Sequence, residues 1–337
     1  MVYEIGIVCT WHCNAGCSFC YSDSRIIPEF DQDFLLLFAF IWKDRKEYLQ
    51  NLSEKVCSIF KNASFLNVGI TGGEPSLIPY WVYDSILGPF KKLNCSLRFT
   101  FSTNGSCLND EYLEWLKHNN FVVSLSYDAM LRKMKMQNFV SRLEKIAKVI
   151  EPDNLRLHFL VYKRMDIEQN VKILKTLDWL KCSFSLYLPV GRSGDYFLSE
   201  DSILLFFRRI FDEGLQNRFP EIANIINALK TSSCTLVSNI NSIWGECWNA
   251  FRIDFERAEI TDGDGCISRR VSIYEVSSVE DLFLKLGVYE IVKKKLSAEC
   301  EKCSYFSFCR GGCFLLKGRY SCAGLKKVLD FLAKAVL

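Results

Sequence analysis

Three cysteines near the start of the chain, Cys13, Cys17 and Cys20, stand in a C-x3-C-x2-C array, with the aromatic Phe19 just before the last of them. Three thiolates this close can hold an iron–sulfur cluster, and a cluster with three protein ligands keeps one iron open for a substrate or cofactor. Zinc is the competing occupant. It normally takes a fourth protein ligand, which His12 or Cys9 could supply. A second group lies far downstream. Cys300, Cys303, Cys309, Cys313 and Cys322 follow C-x2-C-x5-C-x3-C-x8-C, with Cys247 and Cys266 upstream. Of 16 cysteines, these two groups account for most, and the spacing favours metal over disulfides in a chain with no export signal.

Elements that would position the first array can be read from hydrophobic period. Strands are expected at Tyr3–Val8, Leu66–Ile70, Leu97–Phe101, Phe121–Ser126, Leu155–Val161 and Phe184–Leu188. Helical spacing marks Asp33–Lys61, Pro79–Lys92, Asp110–His118, Gln137–Ile150 and Ile167–Leu180, with Asn109, Asp110 and Asp166 as helix-start residues. Six β–α alternations predict an α/β fold, a partial (β/α)6 TIM-like barrel of parallel strands with right-handed crossovers. Cys13 directly follows the first strand, on the loop at its carboxyl end, where such sheets keep their ligands. Ser199–Gln216 and Pro220–Leu229 read as two further helices. The expected division is a barrel over 1–195, a helical bridge over 196–244 and a small Cys-rich iron–sulfur domain over 245–337.

The first array, with Phe19, resembles the signature of radical S-adenosylmethionine (SAM) enzymes. The resemblance implies a [4Fe-4S] cluster on Cys13, Cys17 and Cys20. The methionine part of SAM would chelate the open iron, and electron transfer would cleave the cofactor to a 5′-deoxyadenosyl radical that takes a substrate hydrogen. Other segments match the family in order at successive strand ends, over about residues 3–195. Thr71-Gly72-Gly73-Glu74-Pro75 is similar to the segment that meets the methionine amino group, with carbonyls exposed by the glycines and negative charge from Glu74. Ser102-Thr103-Asn104-Gly105 is similar to a ribose-binding segment through Ser102 and Asn104. Ser124-Leu125-Ser126-Tyr127-Asp128 stands where relatives carry Ser-Leu-Asp-Gly, with Ala129 in place of the glycine, and gives Ser126 and Asp128 as contacts. Leu188-Pro189-Val190-Gly191-Arg192 resembles a segment closing over the adenosine, through Val190, Gly191 and Arg192.

The run from Cys300 to Cys313 closely resembles the SPASM domain, the auxiliary-cluster extension of that superfamily. The resemblance implies two further [4Fe-4S] clusters, three in all. Cys300, Cys303, Cys309 and Cys322 would hold one. Cys247, Cys266 and Cys313 would hold three irons of the other, with Cys234 the nearest upstream candidate for its fourth ligand. Cys234 is also the candidate catalytic residue, as a thiol giving a hydrogen atom to a substrate radical. A structural zinc pair is the alternative for this region. In relatives that oxidise a Ser or Cys side chain, an Asp following the second upstream Cys serves as base. Here Ile267 follows Cys266, with Asp262 and Asp264 just before it, which points away from a simple sulfatase-maturing type.

SPASM-type enzymes mostly modify ribosomally made peptides by crosslinking, epimerisation or side-chain oxidation. The expectation is therefore a peptide maturase that takes electrons from an external donor such as ferredoxin or flavodoxin. Because Tyr3–Val8 already reads as the first barrel strand, the peptide would dock directly or through a separate leader-binding protein. Two other readings are a radical dehydrogenase of a sugar or aminocyclitol, and a non-catalytic iron–sulfur scaffold or electron-transfer protein.

The rest of the sequence narrows the field by exclusion. The 337 residues carry 42 Lys+Arg against 39 Asp+Glu, a formal charge of +3 with no long basic run, so nothing recommends a nucleic-acid partner. Phe34–Trp42 is the most apolar run, too short to span a bilayer and bounded by Asp33 and by Lys43 to Lys46; a buried helix is expected there. No signal peptide is visible, and a cytoplasmic protein without a membrane partner follows. Of Cys9, Cys57, Cys95, Cys107 and Cys182, most read as buried small hydrophobes. His12, His118 and His158 form no recognisable triad, and Trp244 and Trp248 read as core.

Overall fold

The structure, a computed structural model, describes residues 1–15, 17, 25–26, 42–126, 136–160, 167–187, 199–220, 222–223, 226, 250–262, 269–287, 302–305 and 322–336. The chain divides into two compact units, one of Met1–Leu155 with Cys247–Ile291, the other of Arg156–Glu246 with Val292–Leu337.

The first unit is built on a parallel sheet. Strands β1 (Val2–Val8), β4 (Phe65–Thr71), β5 (Ser96–Thr103) and β6 (Phe121–Ser126) pair in that order, all parallel. Two-residue strands β2 (His12–Cys13) and β3 (Arg25–Ile26) form a separate parallel pair on the loop after β1. Helices α1 (Lys46–Ile59), α2 (Tyr80–Phe90), α3 (Asp110–His118) and α4 (Met136–Ala147) fall between or after the long strands. Each long strand matches a run expected from the sequence to within two residues at either end. Helix α3 begins and ends as expected, because the Asn109 side chain accepts from Tyr112 N at 2.8 Å and caps it. The apolar run Phe34–Trp42 lies, apart from Trp42, outside the described residues.

Alternation along the strands sorts two faces. Tyr3, Ile5 and Ile7, with Leu66, Val68 and Ile70, and with Phe99 and Phe101, are buried. Leu49, Leu52, Val56 and Ile59, spaced three and four apart, make the buried stripe of α1. An aromatic chain continues this layer: Phe101 to Tyr112 at 5.5 Å, Tyr112 to Trp115 at 5.8 Å, and Trp115 to Phe121 at 5.2 Å between ring centroids. The opposite face carries Gly6, Asn67, Gly69, Thr71, Thr100 and Ser102, all part-exposed. Gly6 lies beside Gly69 in register, and Gly69 beside Thr100. A Cβ on Gly69 would lie 2.9 Å from Thr100 Oγ1. This is therefore the small, polar face of the sheet.

One element was not foreseen. Strand β9 (Ala250–Asp254) pairs parallel with β1 on the edge away from β4, with Gly6 opposite Arg252 and Val8 opposite Asp254. Strands β10 (Glu259–Asp262) and β11 (Val271–Ser272) continue the sheet antiparallel, and α7 (Val279–Leu286) follows. Ser278 caps α7 through Asp281 N at 3.2 Å, and Gly287 ends it at φ +72°.

In the second unit, β7 (Leu155–Leu160, begun at the last residue of the first unit) pairs parallel with β8 (Ser183–Tyr187), joined by α5 (Ile167–Thr176). Arg218 locks the start of β8. Its Nε and Nη2 donate to Cys182 O at 3.0 and 2.8 Å, its Nη1 meets Asp178 at 2.5 Å, and its guanidinium lies 4.5 Å from the Phe184 ring. Helix α6 (Glu200–Asp212) packs against α8 (Cys322–Val336) through Phe211 and Phe331, 5.4 Å apart. Among the described residues no helix is long and apolar enough to cross a membrane.

Candidate functional site

The carboxyl ends of β1, β4 and β5 come together around the loop that carries Cys13. This loop is laid against the turn after β4. Gly73 N donates to Thr10 O at 2.9 Å and Glu74 N to His12 O at 2.7 Å. The approach is so close that a Cβ on Gly73 would lie 2.1 Å from His12 O, and one on Gly72, whose φ is +125°, would lie 2.6 Å from Thr10 O. The two glycines are thus needed to seat the cysteine loop, whatever their carbonyls meet on the other side.

Glu74 is buried, 1% exposed, and both oxygens of its carboxylate accept hydrogen bonds from the protein. Oε1 accepts from Ser76 N at 3.0 Å, Ser76 Oγ at 2.5 Å and Thr103 Oγ1 at 2.5 Å; Oε2 accepts from Asn104 N at 2.7 Å. Burial raises its pKa above the usual carboxylate range, against the opposing pull of these hydrogen bonds. The residue joins the end of β4 to the end of β5. Behind it, Tyr83 donates to Pro75 O at 3.0 Å and Tyr112 to Ile78 O at 3.2 Å, so α2 and α3 hold the turn from the far side.

On the β5 loop, Asn104 Nδ2 donates to Asn14 Oδ1 at 2.7 Å and stands 4.0 Å from Cys13 Sγ, while its Oδ1 accepts from Ser106 N at 2.9 Å. Asn14 Nδ2 donates to Ser106 Oγ at 2.7 Å. Ala15 N points at Cys13 Sγ from 3.4 Å. Arg142, on α4, closes the same loop with Nε and Nη2 on Gly105 O at 2.9 and 2.5 Å and Nη2 on Leu108 O at 2.9 Å. From β9, Asp254 accepts the indole N–H of Trp11 at 2.8 Å, and Arg252 lies 5.9 Å from the Trp11 ring.

Of the residues expected from the sequence, the structure brings Cys13, Gly72, Gly73, Glu74, Pro75 and Asn104 to one strand-end cluster. Ser102 and Ser126 are part-exposed at the ends of β5 and β6; Ser102 is on the polar face, and Ser126 lies two residues beyond Ser124, the register partner of Ser102. Cys13 and Cys17 are part-exposed, as is Cys303 in the second unit. Cys322 opens α8, and the segment holding Cys303 is tied to that helix by Tyr305, whose hydroxyl donates to Asp330 at 2.6 Å. Phe19, Cys20, Asp128, Val190, Gly191, Arg192, Cys234, Cys247, Cys266, Cys300, Cys309 and Cys313 lie outside the described residues. Among those described, no three His, Cys, Asp or Glu side chains gather as a metal would require. Sequence reasoning missed Asn14, Arg142, Trp11 and Asp254. Only Asn14 carried a signal, a short amide inside the cysteine array.

Residues 7–155, the stretch containing this cluster, match the profile of the Radical SAM superfamily. The chain carries a radical SAM domain. Curated relatives include the cysteine-type anaerobic sulfatase-maturating enzyme of Clostridium perfringens, 21% identical over 89% of this chain and 85% of that one. The enzyme of the same description from Clostridium novyi is 22% identical over 90% and 85%. Among solved structures, native anSMEcpe with bound AdoMet and Kp18Cys peptide superposes with a TM-score of 0.71 at 16% identity, covering 99% of this chain and 98% of that one. Streptococcus suis SuiB bound to precursor peptide SuiA gives 0.59 at 15% identity over 94% and 72%. The radical SAM partial-barrel fold expected from the sequence is thus borne out.

Radical SAM chemistry rests on a [4Fe-4S] cluster and SAM. The local structure fits such a cluster. Cys13 is part-exposed, two N–H groups face its sulfur, and the glycine cradle lets the loop lie flat on the sheet end.

Proposed function

We propose that this radical SAM enzyme modifies a peptide or a protein segment. The supporting observation is the extent of the structural likeness, which runs over 99% of this chain to an enzyme whose solved form holds a peptide. Cys13, Cys17 and Cys20 would hold the cluster. When bound, it would supply the electron that cleaves SAM to a 5′-deoxyadenosyl radical. The chain's own residues do the rest. The glycine turn and the Asn14–Asn104 pair fix the cysteine loop, Ser102 and Ser126 offer hydroxyls at the strand ends, and the Gly6–Gly69 pair leaves the polar sheet face open.

In this reading residues 245–337 contribute two auxiliary [4Fe-4S] clusters, with Cys300, Cys303, Cys309 and Cys322 on one, and Cys247, Cys266 and Cys313 on the other. The Tyr305–Asp330 bond supports the first set, since it anchors Cys303 to the helix that begins with Cys322. Cys234 is retained as a fourth ligand or hydrogen-atom donor, and ferredoxin or flavodoxin as the electron source.

The relatives' names favour a second reading, oxidation of a cysteine side chain in a sulfatase. Ile267, where such enzymes carry an Asp base, weighs against it.

The test is anaerobic. Reconstituted enzyme is given SAM and dithionite with, in parallel, peptides encoded beside its gene and a sulfatase-type cysteine peptide. The expected result is 5′-deoxyadenosine formation, lost on changing Cys13, Cys17 and Cys20 to Ala, together with a mass change in a neighbouring peptide. Loss of two hydrogens and exchange of sulfur for oxygen in the sulfatase peptide alone would decide for the second reading. Abundant 5′-deoxyadenosine with every peptide unchanged would sink both.

A further inference from the structure

Asn104 stands in a segment that resembles a ribose-binding one, yet its amide is already committed. An asparagine side chain has two N–H donors and one carbonyl acceptor. Here Nδ2 serves Asn14 Oδ1 at 2.7 Å and faces Cys13 Sγ at 4.0 Å, and Oδ1 takes Ser106 N at 2.9 Å. The backbone N–H is spent on Glu74 Oε2 at 2.7 Å. The residue is 7% exposed, and Asn14 is 5% exposed. Asn14 in turn bonds Ser106 Oγ, on the same loop that Arg142 fastens from α4. The result is a closed set of hydrogen bonds that starts on the cysteine loop, crosses to the β5 loop and returns an N–H toward the cysteine sulfur.

We infer that Asn14 and Asn104 are a pair of positioning residues for the Cys13 thiolate, and that they act on the cluster's hold and reduction potential rather than on the nucleoside of SAM. The physical basis is general. N–H groups directed at cluster sulfurs stabilise the more negative, reduced state and raise the potential, and outer-shell partners fix the orientation of the ligands themselves. Asn104 supplies the N–H, and Asn14 determines where that N–H points. Neither residue has to touch SAM.

The experiment uses full-length, anaerobically reconstituted enzyme and needs no peptide substrate. Four variants are compared: Asn14→Leu, which fills the space but forms no bond; Asn14→Asp, which keeps the oxygen that receives Asn104 Nδ2; Asn104→Ala; and wild type. Three quantities are read: iron content, the midpoint potential of the EPR signal that changes on adding SAM, and the SAM dissociation constant from equilibrium dialysis. The expected result is a more negative midpoint, or loss of about one cluster's iron, in Asn14→Leu and Asn104→Ala. Loading is rescued in Asn14→Asp, and wherever the cluster is retained SAM affinity stays within about twofold of wild type, as expected for groups that act through the ligand. A tenfold or greater loss of SAM affinity in Asn104→Ala, with EPR signal and midpoint unchanged, would make Asn104 a ribose ligand and overturn the inference. Unchanged iron and midpoint in Asn14→Leu, or loading lost equally in Asn14→Leu and Asn14→Asp, would overturn it as well.

Discussion

The indole N–H of Trp11 is bonded to Asp254 Oδ2 at 2.8 Å, across 243 positions of sequence. Two residues before the first cluster cysteine, the cysteine loop is therefore fastened to the end of β9. Asp254 is 5% exposed and also accepts Glu256 N at 2.9 Å and Arg257 N at 3.1 Å, so its side chain both shapes its own turn and braces its neighbour's. Asp254→Ala leaves a part-buried indole donor unmet and removes three bonds to a carboxylate, a loss of about 3 kcal/mol. Chemical denaturation should show that drop, and reconstituted iron should fall with it. A variant as stable and as fully loaded as wild type would refute the brace.

Gly73→Ala tests the seat of the cysteine loop. Its new Cβ would meet His12 O at 2.1 Å, a backbone atom with no room to yield unless the whole loop lifts. The expected outcome is loss of the SAM-responsive cluster with the rest of the iron retained, read by iron analysis and EPR. Retention of the full signal would mean that the loop rides higher than described.

His158 gives a pH dependence. Burial, with Arg156 nearby, lowers its pKa from 6.5 to about 3. Between those values the unfolded chain binds a proton that the folded chain does not. The neutral histidine thus contributes stability above pH ~6.5 that is progressively lost as pH falls toward ~3. Denaturation midpoints measured between pH 7 and pH 5 should decline in wild type, and His158→Gln should remove a part of that slope that grows as pH falls, toward one proton's worth, about 1.4 kcal/mol per pH unit, near pH 5. Identical slopes in the two proteins would contradict the assignment.

Thiol reactivity separates the cysteines. Burial pushes Cys57 up to about 12 and Cys182 up to about 11, and raises Cys9 far above its ordinary value. These three should resist iodoacetamide at pH 8 until denaturant is added, as expected of buried thiols. Cys13, part-exposed, should react once iron is removed. Mass spectrometry of the peptides reads both groups, and early labelling of Cys9 would be incompatible with its 1% exposure.

Much of the barrel was legible because its signals are local. Leu66, Val68 and Ile70 alternate with part-exposed residues, and the Thr71–Pro75 turn then breaks the run. Asn109 announces α3 with the bond that caps it. The cysteine array and the glycine turn were legible for the same reason, each being contiguous. What stayed hidden depends on distance. Ala250–Asp254 is only five residues long in a Cys- and Gly-rich stretch, and its partner β1 lies more than 240 positions earlier. Arg142 looks like any surface arginine on an amphipathic helix until the fold places two carbonyls in front of it. Glu74 was read by charge, whereas its neighbours show it as an acceptor of four hydrogen bonds.

The parallel pairing of β9 with β1 also has a temporal meaning. A ribosome adding about 5–20 residues per second takes roughly 12–50 s to go from the end of β1 to the start of β9. Throughout that interval one edge of β1 has no partner, and Trp11 has no Asp254 to hold it. The cysteine loop reaches its braced form only once Asp254 has been made. Iron delivered to the nascent chain would meet an unbraced loop, so cluster assembly at Cys13 is expected to follow, rather than accompany, synthesis of the barrel.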